Sequence, residues 1–106
     1  MTDEQARRVL GLVGLGLRSR NAVVGTEQVR AAAKKGRVVL ALVADDASAH
    51  SLAKLHPLLS ARRVRVVQGL TAQQLGTVSG RNLTAAIGVL DRALANGILG
   101  VMDSGA

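Results

Sequence analysis

The run "RVVLALVA", Arg37 to Ala44, restricts the fold more than any other stretch of the chain. After its arginine it is uninterrupted apolar sequence rich in β-branched valine, with no alternation that would leave one face to water. A strand of this kind is covered on both faces, so it belongs at the centre of a sheet with helices packed on either side. The rest of the chain must therefore supply two helical layers.

It does so in a regular order. Thr2 to Arg18 reads as a helix: Thr2 and Gln5 have capping-box spacing, Asp3 and Glu4 suit a positive first turn, and Val9, Leu10, Val13 and Leu17 recur at helical intervals. "AVV" (Ala22 to Val24) is a short strand, and Gly25 or Thr26 opens a second helix that stops at Gly36 after Lys34 and Lys35. "DDASAHSLAKLHPLLSARR" reads as a loop and a helix in which Pro57 either makes a kink or starts a second short piece. "VRVVQG" is the next strand. "LTAQQLGTVSG" is a short helix with Thr71 and Gln74 as its capping box, "LTAAIGVLD" a last strand, and Asp91 the cap of a terminal helix that Asn96-Gly97 is expected to break. The alternation predicts a three-layer α/β/α sandwich around a small, mixed sheet of about four strands. Its 106 residues are expected to form a single domain, spanning residues 1–106, without repeats or linkers.

Composition then narrows function. Phe, Tyr and Trp are absent, so the core must be filled by Leu, Val, Ile and Ala, and the base-stacking platforms of aromatic RNA-recognition sheets are excluded. Fourteen Lys and Arg against seven Asp and Glu give a formal charge of +7, the footprint of a nucleic-acid partner bound by charge and polar contacts. The cations are spread along the chain rather than gathered on one amphipathic helix with bulky anchors, which argues against a membrane surface. No cysteine means no disulfide, thiolate metal site or thiol nucleophile. The acidic opening "MTDEQARR" is unlike a secretory signal, and a cytoplasmic location is expected.

Three stretches invite chemistry and resist it. Gly11, Gly14 and Gly16 lie inside or at the end of a helix, whereas a dinucleotide-binding loop needs them between a strand and a helix. Their plainer reading is small residues that let the helix sit close to the sheet and then stop. His50 and His56 are six apart with no third ligand at metal-site spacing, so no metal is expected. Asp45 and Asp46 follow a strand, where carboxylates do catalytic work in open sheets, but Ser48 and a helix come next, and capping accounts for at least one of them. No serine has an evident activating histidine and acid. The expectation is a protein that is not an enzyme and carries no cofactor.

The segment "VVGTEQVRAAAKKG", Val23 to Gly36, is where several features converge. A glycine at a helix start lets another backbone approach, and the first-turn amides face outward as donors at the positive end of the dipole. Thr26, Glu27 and Gln28 present side chains able to bond base edges, and Arg30 and Lys34 continue at i, i+4 on one face. Arg18 and Arg20 stand just before.

With "RSRNAVVGTEQVRAAAKKGRVVLALVADDAS" at the front and "LGTVSGRNLTAAIGVLD" at the back, the chain resembles the ribosomal L-seven-Ae/L-thirty-e superfamily over nearly its whole length, most closely the small bacterial YlxQ-like branch. The resemblance rests on Gly25 before the second helix, Gly36 after it, the strand ending in "ADDAS", Leu75-Gly76, and Gly80 leading to the alanine-containing last strand. It implies an α/β/α sandwich that binds structured RNA, ribosomal or kink-turn-like, with ribosome or ribonucleoprotein components as companions. In that mode the second helix's N-terminus enters a widened major groove beside sheared G·A pairs, and the loop before the last strand covers an extruded base.

Carried over, Gly25 and Thr26 match the start of the family's Gly-Thr-Asn-Glu signature, Glu27 stands where it has Asn, and Gln28 where it has Glu. The loop contacts fall to Ser79, Gly80, Arg81, Asn82 and Leu83, with Arg18, Arg20, Arg30 and Lys34 binding phosphate. An ionised Glu27 only accepts and is expected to repel a phosphate, whereas Gln28 both donates and accepts. Arg81 and Asn82 are more polar than the largely apolar loop of strict kink-turn binders. Two other function classes remain open: a protein-interaction adaptor on the same fold, marked by an apolar surface patch, and a nucleotide enzyme using the Gly11 to Gly16 segment.

Overall fold

The computed structural model describes residues 1–103. Nine elements follow one another as α1 (Asp3–Arg18), β1 (Ala22–Val24), α2 (Thr26–Lys34), β2 (Leu40–Val43), α3 (Ala49–Ala61), β3 (Arg65–Val67), α4 (Ala72–Val78), β4 (Ala86–Val89) and α5 (Arg92–Asp103). The four strands form one mixed sheet in the order β1-β4-β2-β3, with β4 antiparallel to both neighbours and β2 parallel to β3. The long apolar run is indeed central, although only Leu40–Val43 of it pairs as strand.

Strand alternation divides the interior into two layers. Leu40, Leu42, Ile87 and Val89 point to one face, where α1, α4 and α5 cover them with Val9, Val13, Leu75 and Ile98. Ala41, Val43 and Ala86 point to the other, against Val29 and Ala33 of α2 and Leu55 and Leu59 of α3. Each fully buried Leu, Ile or Val contributes about 1.5–3 kcal/mol by leaving water, so a core without aromatic rings suffices. The second face is the thinner one, lined by alanines and by Gly88. A Cβ at Gly88 would lie 3.2 Å from a Val23 methyl and 3.5 Å from a Val29 methyl, so glycine there lets α2 sit tightly on β4.

The capping boxes of Thr2 with Gln5 and of Thr71 with Gln74 are both formed, and Ser48 caps α3 through the Ser51 amide. Two local expectations need correction, and one open alternative is decided. Asn96-Gly97 does not break the last helix: α5 continues because Ala95, Ile98 and Val101 are buried, and Gly97 packs toward Leu12 of α1. Pro57 lies inside a single helix, α3, rather than starting a second piece. The α1 glycines serve helix packing more than sheet packing: a Cβ at Gly16 would run into Leu94 of α5, while the stop comes from Ser19 and from Arg20 at φ 62.

Candidate nucleic-acid interface

Antiparallel pairing of β1 with β4 sets the geometry of the candidate site. Val24 faces Ile87, and one residue further the Gly25 amide donates to the Ala86 carbonyl at 2.9 Å. The start of α2 is thereby fastened to the first residue of β4, and the loop that precedes β4 arrives at the same edge of the sheet. Gly25 makes the turn at φ 93 and ψ 156, a conformation essentially confined to glycine.

Among the described residues no side chain caps α2. The Gln28 side-chain oxygen accepts instead from the Val24 amide at 3.4 Å, outside the helix, which leaves its NH2 group directed at no protein acceptor among the described residues. The amides of Thr26, Glu27 and Gln28 likewise meet no side-chain acceptor, and they lie at the positive end of the helix dipole.

Glu27 is placed differently from its sequence reading. Its Oε1 accepts from Lys54 Nζ at 3.0 Å and its Oε2 from Arg30 Nη1 at 3.4 Å. Lys54 beside it, and Arg30 to a lesser degree, hold its carboxyl below the ordinary value of 4.5. Glu27 is therefore a partnered acid whose charge is offset by two cations. Lys54 is the residue that sequence reasoning passed over. It comes from α3, 27 positions away, and nothing in the local pattern of "HSLAKLH" marks it.

The second half of the site is the segment from Ser79 to Leu83. The Ser79 hydroxyl donates to Leu75 and Gly76 carbonyls at the end of α4, Gly80 turns at φ 70, and the Arg81 amide returns to the Gly76 carbonyl at 2.8 Å. Gly76 is glycine because a Cβ would occupy the position of the Asn82 carbonyl. Thr84, buried, ties the loop down again through its amide to Ala72 and its hydroxyl to Asn82. The backbone is thus held while Arg81, Asn82 and Leu83 project outward, Leu83 at 76% exposure. Leu83 divides two concavities. One of about 450 Å3 is lined by Gln73, Thr77, Arg81, Asn82 and Leu83, and one of about 270 Å3 by residues including Asp46, Ser48, Ser51 and Leu83.

The Gly25 to Ala86 bond sets Gly25, Thr26, Glu27 and Gln28 at the end of the sheet where the segment of Ser79, Gly80, Arg81, Asn82 and Leu83 leads into β4. Arg30 lies one helical turn in. Lys34 is at the far end of α2, about 12 Å along the axis from Thr26, where Arg62 binds its carbonyl at 2.7 Å. Arg18 and Arg20 stand before β1, at the other end of that strand from Gly25, but the Arg18 guanidinium turns back along α1: a Cβ at Gly14 would lie 3.6 Å from both Arg18 Nη1 and a methyl of Val78, the residue before Ser79. Asp45 and Asp46 are occupied structurally: Asp45 Oδ1 accepts from the Gly69 amide at 2.7 Å and Asp46 Oδ1 from the Ala72 amide at 2.8 Å. They seal the start of α4 rather than their own helix, which Ser48 caps. His50 and His56 are exposed on α3, and among the described residues no cluster of His, Cys, Asp or Glu could hold a metal ion. Between α1 and α4 a further groove of about 450 Å3 is lined by Leu10, Gly11, Gln73, Gln74, Thr77 and Val78.

Residues 7–96 match the model of the ribosomal protein L7Ae/L30e/S12e/Gadd45 family. The chain belongs to that family. A solved structure of a protein with unknown function from Bacillus halodurans is 30% identical, with a TM-score of 0.81 over 91% of this chain and 97% of that one. The 15.5kD RNA binding protein of Giardia lamblia shares the L7Ae-type fold at 19% identity, with a TM-score of 0.80 over 98% of this chain and 89% of that one. No curated protein matches the sequence. Among the described residues no helix is long and apolar enough to cross a membrane.

Proposed function

We propose that this L7Ae-type protein binds structured RNA and is not an enzyme, gripping its ligand between the start of α2 and the Ser79–Leu83 loop. The observation that carries the reading is the Gly25 to Ala86 hydrogen bond, because it joins two polar, outward-facing segments, far apart in sequence, into one edge. Membership of a ribosomal protein family, an RNA-binding relative of the same fold and a formal charge of +7 support it.

On this reading the α2 amides and the Gln28 NH2 group bond phosphate or base edges, Arg30 and then Lys34 follow the backbone along α2, and Leu83 lies against a base displaced from the stack. Arg18 and Arg20, which precede β1, contribute to the general field that draws the RNA in. The ligand is a ribosomal or kink-turn-like RNA, met in the cytoplasm on the ribosome or another ribonucleoprotein.

Net charge alone produces weak RNA binding at low salt, so the decisive measurement compares shapes. Fluorescence anisotropy titrations of a kink-turn RNA and of a control with its G·A pairs made Watson–Crick, at near-physiological and at raised salt, test the proposal. A preference for the kink-turn that survives raised salt is expected. Equal affinities that collapse together with salt would overturn specific RNA recognition and direct attention to a protein partner, with the apolar groove between α1 and α4 as its starting point.

A further inference from the structure

An acid at the start of α2 works against an anionic ligand, yet Glu27 is held there by two cations from two helices. Lys54 of α3 reaches one carboxylate oxygen at 3.0 Å and Arg30 of α2 the other at 3.4 Å. The side chain of Glu27 is 69% exposed, so the meeting point of the two cations opens to solvent. Arg30 Nε is buried and has no hydrogen-bond partner among the described residues, and its Nη1 contact is long, so the guanidinium is incompletely satisfied by the carboxylate.

We infer that Lys54 and Arg30 form a phosphate clamp between α3 and α2, and that Glu27 fills it in the free protein in place of a backbone phosphodiester of bound RNA. The inference rests on the RNA-binding reading above and adds to it a residue, Lys54, and a competition. A carboxylate and a phosphodiester each offer two oxygens to charge-assisted donors, so the same pair of cations serves both. Exposed ion pairs hold weakly and are screened by salt, so a correctly placed phosphate displaces Glu27 with little loss. The freed carboxylate turns to solvent, and Lys54 follows the phosphate on its flexible stem. A phosphate that the rest of the interface does not position must still win against Glu27. The acid therefore lowers affinity for all RNA and suppresses indiscriminate binding most.

The test is an anisotropy titration of the kink-turn RNA with wild type, Glu27→Gln, Lys54→Ala, the double variant and Glu4→Gln, over a series of salt concentrations. Glu4 is an exposed acid on α1, across the sheet from α2, and reports the effect of removing one negative charge anywhere. Glu27→Gln is expected to tighten binding roughly fivefold, the equivalent of one exposed ion pair. It is also expected to steepen the slope of log K against log salt by about one. Glu4→Gln should change affinity less than twofold, Lys54→Ala should weaken binding, and in the Lys54→Ala background the gain from Glu27→Gln should shrink. Weaker binding by Glu27→Gln would mean that Glu27 itself reads the RNA, and a gain no larger than that of Glu4→Gln would mean a general charge effect. Either result overturns the clamp while leaving RNA recognition standing. Loss of salt-resistant binding by the wild type would remove both.

Discussion

Helices α2 and α4 begin at the same edge of the sheet and begin in opposite ways. At the start of α4 side chains take three backbone donors: Thr71 Oγ1 accepts from the Gln74 amide, the Gln74 side chain accepts from the Thr71 amide, and Asp46 accepts from the Ala72 amide. Asp45 closes the approach at Gly69. At the start of α2 the N-cap is a glycine with no side chain to offer, and Gln28 spends its oxygen on Val24. A side-chain cap is worth about 1 kcal/mol over alanine, and with glycine as its N-cap α2 forgoes only a few tenths of that. The difference teaches that the edge is divided by role. The α4 side is closed and fixes the backbone of the Ser79–Leu83 loop, and the α2 side, on the proposal above, keeps its donors for a ligand outside the chain.

The sharpest way to break that division is at Gly25. Its φ of 93 and ψ of 156 admit glycine almost alone, so Gly25→Ala is expected to destabilise the fold by about 1–3 kcal/mol in urea unfolding. It is also expected to displace the start of α2 from Ala86, with RNA affinity falling beyond what the unfolded fraction explains. Unchanged affinity per folded molecule would show that the placement of the α2 start is irrelevant to binding. A smaller effect is expected from Thr71→Ala, which removes the α4 cap and costs about 1 kcal/mol. If the sealed start is purely structural, kink-turn affinity at a temperature well below melting stays as in wild type. A drop would place α4 within the interface and dissolve the contrast.

Much of the fold was legible because its signals are local. The capping boxes, the glycine stop at Gly36 with φ 70 and the apolar run of β2 each lie within a few residues of the feature they specify. What was not legible depends on residues distant in sequence. Asn96-Gly97 reads as a break, yet the burial of Ala95, Ile98 and Val101 outweighs the local preference. Asp45 and Asp46 look like caps for the next helix, but their partners lie 24 and 26 positions on. The candidate site shows the same limit. The start of α2 and the Ser79–Leu83 loop were recognisable, whereas Arg18 and Arg20 are near Gly25 in sequence and separated from it by a strand. The partner that redefines Glu27, Lys54, emerges only when α3 packs beside α2.

The smallest expected effect concerns that same acid. Lys54 and Arg30 favour the ionised form of Glu27 in the folded protein, and its pKa lies below the ordinary 4.5 that it regains on unfolding. A depressed carboxyl pKa stabilises the fold fully above the unfolded value and ceases to do so as pH falls through the folded one. Thermal unfolding of wild type and Glu27→Gln over a pH series should therefore show wild type ahead by a small margin above pH 4.5, with the margin closing in more acidic solution. The margin is small because the pair is exposed and salt-screened, and raised salt should shrink it further. A margin independent of both pH and salt would mean that Glu27 contributes packing rather than charge. The open start of α2 would then lack the internal counter-charge that sets it apart from the sealed start of α4.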